Sequence, residues 1–309
     1  MFYEKKRIKN KLYLLIMTIK NLLISGGGLN GIIFLGIIKQ LVEEKYLNLN
    51  EIETIYGASV GSLIGVVLCL KIELNDIVDY FIERPWHKSL EKLNFNSSTF
   101  LNFFSDKGVI DDKLIKIILS NLLKAVELDE DITFLDLYNY SNKHLIISSV
   151  NLNTFSLDEF SYKTTPHMKI IDGVYCSCSI PLIFKPKYLN NTYYIDSGLI
   201  KNYPDREILK YGNKDETFGI AVLTPAEEIQ INQNDDIFKF IYKIIQKLLV
   251  NFTRESEKIL KYEIKFEHKS SLSNENSYDF FANKEYRKNM FEKGIKKAKL
   301  FLQSLNNSV

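Results

Sequence analysis

Gly57-Ala58-Ser59-Val60-Gly61 spells G-x-S-x-G in a chain with only 14 glycines. That pattern suits a serine carried on a turn so sharp that its hydroxyl stands clear of the surrounding backbone. Side chains two positions either side of the serine would collide across such a turn, hence Gly57 and Gly61. A helix starting at this point would aim its positive end at the serine and favour negative charge on Oγ or on a substrate oxygen. The competing reading is a glycine-packed helix start at which Ser59 is only a cap. Ser62, one turn further on, is expected to face packing.

A second glycine cluster, "SGGGLNG", runs from Ser25 to Gly31. Three successive glycines ahead of a helix leave backbone N–H groups bare, which makes a cradle for an anion. Two chemistries use such a cradle. One is an oxyanion hole for a tetrahedral intermediate, with Gly26, Gly27 and Gly28 supplying the backbone. The other is dinucleotide binding, because Gly26, Gly28 and Gly31 spell G-x-G-x-x-G. The nucleotide reading wants an acid at the end of the next strand, yet that strand ends Tyr56-Gly57-Ala58-Ser59, and Glu51 and Glu53 stand at its start. No Gly-Lys-Ser/Thr follows the glycines, so a Walker loop is excluded.

A serine nucleophile needs a base. Of the four histidines, only His268 follows Ser59 late enough for the α/β-hydrolase order of serine, acid and histidine, and it sits in the polar stretch "KFEHKSS". His87 lies in an aromatic-flanked loop, His144 opens a strand and His167 adjoins Pro166. Asp196 has the better setting. In "YYIDSGLIKNYP" it ends an apolar strand and precedes a turn at Ser197-Gly198, and strand ends are where parallel sheets carry catalytic side chains. Taken alone, an aspartate before Ser-Gly is equally at home as a plain turn residue.

The elements that must hold these residues can be read from hydrophobic period. "IKNLLIS" reads as a buried strand and "GIIFLGIIKQLVEEKY" as the helix after it; "EIETIYGAS" and "SLIGVVLCLKI" repeat the pair. This succession points to a parallel sheet with helices on both sides. Mostly helical chain follows from Asp76 to about Asp131, broken by "NFNSSTF". A hairpin, "KHLIISSVNL" and "TFSLDEFSY", turns at Asn153, and a helix runs from Pro166 to Ser179. "TYYIDSG" is a strand and "TFGIAVL" is expected to be the last strand of the sheet. Amphipathic helices around 237–260 and 284–305, with the polar loop "HKSSLSNENS" between them, close the pattern. No repeat or linker interrupts it, so residues 21–309 are read as one domain after an extension of residues 1–20.

Composition bounds the rest. Hydrophobic residues at 46% and charged ones at 25% describe an ordinary globular protein. The net charge of +2, with basic and acidic residues interspersed, argues against a nucleic-acid surface. Cys69, Cys176 and Cys178 read as reduced, buried thiols of a cytoplasmic protein. The scattered histidines supply no ligand set, so neither metal nor cofactor is expected. The extension starts basic and turns apolar from Leu12 to Ile19, too short to span a bilayer. It is read as an arm able to touch anionic lipid at the membrane periphery.

Taken together, these pieces resemble the patatin-like phospholipase family. GGGLNG, GASVG, CSCSIPLIFKP and DSGLIKNYP occur in the family's order between Ser25 and about Pro204. The resemblance implies an α/β fold whose mostly parallel central sheet is sandwiched between helices. It implies hydrolysis of ester-linked acyl chains from lipids, of phospholipase A or lysophospholipase type, by a serine–aspartate dyad without histidine, metal or cofactor. Lipid is then the substrate, and contact with a lipid surface is transient. On this resemblance Ser59 is the nucleophile, Asp196 the base and Gly26, Gly27 and Gly28 the oxyanion hole, with Gly31, Gly57, Gly61 and Gly198 supporting the turns. The family usually has Asp-Gly-Gly or Asp-Gly-Ala where this chain has Asp196-Ser197-Gly198. Beyond about Lys210 no family motif is found. A histidine-dependent esterase and a nucleotide-binding protein remain the alternatives.

A dyad also sets a physical demand. A solvated carboxylate, with pKa about 3.9, is a poor base for a hydroxyl. Burial in a dry cleft would raise it.

Overall fold

The computed structural model describes residues 18–93, 102–223, 225, 229–254, 259–268 and 274–307. Most of the expected N-terminal arm, and the "NFNSSTF" stretch, lie outside the described residues.

Among the described residues eight strands form one mixed sheet: β1 (Asn21–Ile24), β2 (Thr54–Ala58), β3 (His144–Asn151), β4 (Ser156–Phe160), β5 (Lys187–Leu189), β6 (Thr192–Ile195), β7 (Thr217–Leu223) and β8 (Tyr262–Glu267). The core is parallel, in the order β3-β2-β1-β7-β8. Central strands of such a sheet must be apolar on both faces. β1 meets this demand with Leu22 and Ile24 in the larger core cluster and Leu23 in the smaller one. Helices flank the sheet. In chain order come α1 (Gly31–Glu43), α2 (Val60–Cys69), α3 (Leu74–Glu83), α4 (Trp86–Leu90), α5 (Phe103–Asp106), α6 (Lys113–Ala125), α7 (Phe134–Ser141) and α8 (Ile170–Cys178), and all but α5 put residues into the larger core cluster. The smaller cluster packs Tyr56 and Ile146 under Tyr203 and Ile208, beside the 3₁₀ turn Ile208–Lys210.

The register brings two chain ends together. β2 runs along one edge of β3 and stops at Ala58, opposite Ser148. β4 takes the other edge of β3, from Ile147 to Asn151. β6 pairs antiparallel with Val150 and Asn151, where β4 already fills its own edge, so β6 must lie on the edge that β2 vacated. β2 comes up this edge and β6 comes down it, and only Ser149 separates their last partners. Ser59 and Asp196 are the next residues of each. The parallel-sheet expectation for Asp196 is thereby corrected: it sits at the right end of the sheet but arrives on an antiparallel strand.

Two further expectations change. The helix expected from Pro166 begins at Ile170, after an isolated bridge between Lys169 and Thr133. β7 is not the last strand, because β8 pairs parallel beside it. Tyr262, Ile264 and Phe266 are buried and alternate with more open Glu263, Lys265 and Glu267, a period-two pattern. Around β8 lie α9 (Ile237–Arg254), α10 (Asn274–Ala282) and α11 (Lys284–Asn307). α11 crosses α1 so closely that a Cβ on Gly294 would stand 2.1 Å from the Ile33 carbonyl oxygen.

Candidate active site

Ser59 sits between β2 and α2 with φ 49° and ψ −125°. A serine gains nothing locally from that backbone, and such conformations cost about 1–3 kcal/mol and persist only where surroundings enforce them. The enforcement is visible. A Cβ on Gly57 would lie 2.5 Å from the Ser62 backbone, and one on Gly61 would lie 2.2 Å from the Ile24 carbonyl oxygen. Both glycines are therefore steric requirements of the turn. The Ser59 N–H donates to Ser177 Oγ at 2.8 Å, and its carbonyl accepts from Ser62 Oγ at 2.5 Å. Ser59 makes no side-chain cap to its helix, which disposes of the capping reading. Ser62, expected merely to pack, instead pins the strained peptide.

The hydroxyl points elsewhere. Ser59 Oγ donates to Asp196 Oδ2 at 2.7 Å, while Asp196 Oδ1 accepts the Gly198 N–H at 2.7 Å. Asp196 is 2% exposed. Burial lifts its carboxyl to about 6, against the pull of its bonds from Ser59 and Gly198, which favour the charged form. A carboxylate raised by this much holds a proton well enough to take one from a hydroxyl and return it near neutral pH. The Cys178 thiol lies against the pair, and burial raises it far above its usual range, with the nearby Asp196 adding to the effect. It stays a neutral neighbour.

The glycine loop lies directly against this pair. A Cβ on Gly26 would be 3.0 Å from Ser59 Cβ and 2.1 Å from Asn202 Oδ1. Asn202 fills that space deliberately on both sides: its carbonyl accepts the Gly26 N–H at 3.0 Å, and its Nδ2 donates to the Gly26 carbonyl at 3.2 Å. Here the expected donor set needs correction. The Gly26 N–H is already committed to Asn202 and cannot meet an oxyanion, so Gly26 serves as the close-approach residue. Gly28, with φ 54°, begins the 3₁₀ turn that leads into α1. Gly31 lets α1 pass α2, since a Cβ there would meet Val60 Cγ2 at 2.6 Å. Gly198 fits under Leu249 of α9, where a Cβ would stand 3.0 Å from Leu249 Cδ2.

None of the four histidines bonds to Ser59. His268 follows β8, three strands from β2, which is roughly 14 Å at the usual strand spacing. Its N–H donates to the Leu223 carbonyl, and its Nε2 lies 3.3 Å from Lys293 Nζ. His144 is buried against Tyr162 and Tyr211, and burial lowers it to about 4. His87 and His167 are exposed. The nucleotide reading fares no better: β2 ends on Ala58 and leads into Ser59, with no acid in place to hold a ribose.

Next to Gly28 and Val60 opens a cavity of about 110 Å³ with an almost wholly apolar lining. Leu63, Ile118, Phe81 and Trp86 form part of its wall, and Phe280 and Phe281 of α10 complete it. Arg287 fastens that wall. It is 2% exposed, and its guanidinium donates to the carbonyls of Ile82, Arg84, Phe280 and Phe281. These carbonyls belong to the ends of α3 and α10, whose negative dipole ends suit a buried cation.

Ser177, Asn202 and Arg287 were not singled out by the sequence, and Ser62 was expected only to pack. Asn202 stands within the quoted block DSGLIKNYP and Ser177 within CSCSIPLIFKP, so the motifs contained them without distinguishing them from their neighbours.

Comparisons with known proteins bear on the family and the fold. A family model described as Patatin-like phospholipase matches residues 22–207. The chain is 31% identical over 195 residues to "Probable lipid hydrolase 463L" of Invertebrate iridescent virus 6, a stretch covering 63% of this chain and 65% of that protein, just under two thirds. It is 30% identical over 171 residues to "Triacylglycerol lipase SDP1L" of Arabidopsis thaliana, covering 54% of this chain and 20% of that one. Among solved structures, VipD from Legionella pneumophila is similar with a TM-score of 0.55 at 18% identity, covering 92% of this chain and 67% of the other. That last likeness concerns the fold.

Proposed function

The chain belongs to the patatin-like phospholipase family, and from that premise we propose that it cleaves carboxylic esters of lipids through a Ser59–Asp196 dyad. The observation that carries the proposal is the 2.7 Å bond from Ser59 Oγ to a buried carboxylate. In this reading Asp196 accepts the hydroxyl proton as Oγ attacks the ester carbonyl carbon. The carbonyl oxygen becomes the oxyanion and turns toward the backbone of Gly27 and Gly28 and the positive end of α2. Collapse expels the alcohol, which leaves with the proton held by Asp196, and an acyl-Ser59 ester remains. Water then gives its proton to Asp196, attacks the acyl carbon and releases the fatty acid. The proton returns to Ser59.

The apolar cavity beside Gly28 and Val60 is the acyl-chain site in this proposal. Each methylene it removes from water contributes about 0.8 kcal/mol to binding, energy that a polar ester fragment cannot supply. No metal or cofactor enters any step, so turnover of a soluble ester should persist in EDTA. A fluorophosphonate probe tests the core of the proposal. It should label wild-type protein on Ser59 and leave Ser59→Ala unlabelled, and mass spectrometry should find fatty acid released from a mixed lipid extract only by the wild type. Labelling elsewhere, or equal fatty-acid release by both proteins, would sink it.

A further inference from the structure

α9 is amphipathic in an inverted sense. Ile237, Ile241, Ile244 and Leu248 recur at spacings of four, three and four, so they fall within an arc of about 60° on the helix. All four are exposed, Ile237 by 61%. Phe238 and Phe240 are exposed too, and Phe238 stacks edge-on with Phe103 at 5.2 Å beside the bare ring of Phe104, which is 79% exposed. The opposite side of the helix faces the protein. Leu249 packs over Gly198, in the turn that holds Asp196, and burial pushes the Tyr242 phenol up. Along one flank of the apolar row stand Lys239, Lys243 and Lys247, each one turn from the next. Lys243 is tied to Asp235, and Lys239 lies 3.9 Å from Asp236.

We propose that the outward row of α9, together with Phe103 and Phe104, is a docking surface for anionic phospholipid bilayers, holding the Ser59–Asp196 site against the lipid. A helix with an apolar face exposed to water and lysines along its flank matches the physical requirements for lying in the headgroup region. It does not cross: among the described residues no helix is long and apolar enough to span a membrane. The lysine flank selects the occupant. Lys243 is held by Asp235, but an apolar protein partner would gain nothing from Lys239 and Lys247, whereas a negatively charged leaflet attracts both. The contact between Leu249 and Gly198 sets where the site stands relative to that leaflet. This inference takes its substrate from the reading above, but the docking surface is measured apart from chemistry.

The experiment uses full-length Ser59→Ala protein, which leaves the lipid intact. It should co-sediment with vesicles of phosphatidylcholine and phosphatidylserine, and less with phosphatidylcholine alone. Ile241→Ser combined with Ile244→Ser should weaken binding to both by roughly 10-fold or more. Lys239→Glu combined with Lys247→Glu should abolish the preference for the anionic vesicles while sparing the residual apolar binding. With Ser59 restored, both double variants should hydrolyse a soluble short-chain ester within about twofold of wild type, since exposed substitutions away from the site change little. Vesicle binding unchanged by the isoleucine pair would overturn the proposal. So would a protein that ignores vesicles and forms a dimer that the isoleucine pair dissociates, because a second copy would then cover the face. Vesicle binding without any esterase activity would leave the surface standing and remove the catalytic reading instead.

Discussion

The Ser59 turn and helix α9 meet through Asp196–Gly198 and Leu249, yet they are built on opposite terms. At the turn the Ser59 N–H, carbonyl and hydroxyl each have a partner, and the backbone is held in a conformation it would not choose. On α9 the apolar row stands open to water, 36–61% exposed, and its backbone is ordinary helix. One region concentrates strain and hydrogen bonds to fix a few atoms. The other spreads exposed apolar area over about three turns. The difference separates two measurements: turnover of a soluble ester reads the first region alone, and turnover on vesicles reads both.

The largest effect should come from Ser59→Ala. Loss of Oγ removes the proposed nucleophile, and activity should fall by at least about 1,000-fold on both kinds of substrate, leaving what the rest of the site supplies. Thermal unfolding should stay close to wild type, because the backbone restraints at Ser62 and Ser177 do not involve Oγ. Loss on vesicles with turnover of a soluble ester retained would break the comparison, since the turn would then be serving lipid contact rather than chemistry.

Asp196→Asn should come next, with kcat down by several orders of magnitude on either substrate. Its stability should move the other way. Burial raises the folded-state carboxyl from 3.8 to about 6. Below pH 3.8 the group is protonated in both states and costs nothing. Between 3.8 and 6 the unfolded chain gives up its proton while the folded protein keeps it, so stability falls as pH rises through that window. Above it the ionised carboxylate costs about 3 kcal/mol. Asparagine escapes this cost. The variant should melt higher than wild type at pH 8, and the gap should close toward pH 4. In the wild type the rate should climb with pH around a midpoint near 6, as Asp196 ionises. A variant that melts lower at pH 8 would contradict the account of a desolvated base.

Ser177→Ala tests the restraint rather than the reacting atoms. It leaves the Ser59 N–H buried without its acceptor, an omission that costs about 1–3 kcal/mol. The Ser59 rotamer should loosen, with kcat falling about 10- to 100-fold on both substrates while KM stays near wild type. Ser177→Thr, which keeps the hydroxyl, should recover much of the loss. A change in KM alone would mean that Ser177 shapes substrate binding.

These positions differ in how far the sequence announced them. Ser59, Gly57 and Gly61 were legible because a sharp turn makes its demands within five residues. Asp196 was legible as a strand end, but not its direction of approach, which depends on β2 stopping three residues short of the end of β3. The loop glycines were legible as a group. That the Gly26 N–H is occupied was not, because its partner Asn202 lies 176 residues away. Ser62 and Ser177 look like any small residues in an apolar helix until the fold brings them to Ser59. In β8 the signal was present, in the alternation of Tyr262, Ile264 and Phe266, and a long helical expectation nearby obscured it. For α9 the amphipathic period could be read, but which side faces water is a property of the packing against Gly198.

A smaller and more selective effect is expected in the cavity. Ile118 is partly buried in its wall, so Ile118→Trp should fill space without touching the dyad. With each excluded methylene worth about 0.8 kcal/mol, kcat/KM for a long-chain ester should fall roughly 10-fold, while a short-chain ester is spared. The chain-length profile of p-nitrophenyl esters measures this directly. A uniform loss at all lengths would assign the cavity to structure and sharpen the division between turn and helix.

The smallest expected effect is the one that tests the dyad against a triad. His268→Ala should leave kcat on a soluble ester within about twofold of wild type. The argument is geometric. A histidine acting as base must reach Oγ within hydrogen-bond distance or through one water, and His268 sits three strands away, roughly 14 Å. Its Nε2 lies 3.3 Å from Lys293 Nζ, at the β8 edge of the sheet and away from the dyad. Ser59 Oγ already has its acceptor in Asp196. The pH profile alone would not separate the two, since a carboxyl raised to about 6 and an ordinary imidazole near 6.5 titrate almost together. The two substitutions do separate them, because members of a catalytic unit fail together. A dead His268→Ala protein beside an active Asp196→Asn one would require β8 to move against β2, and the dyad would give way with only Ser59 left in place.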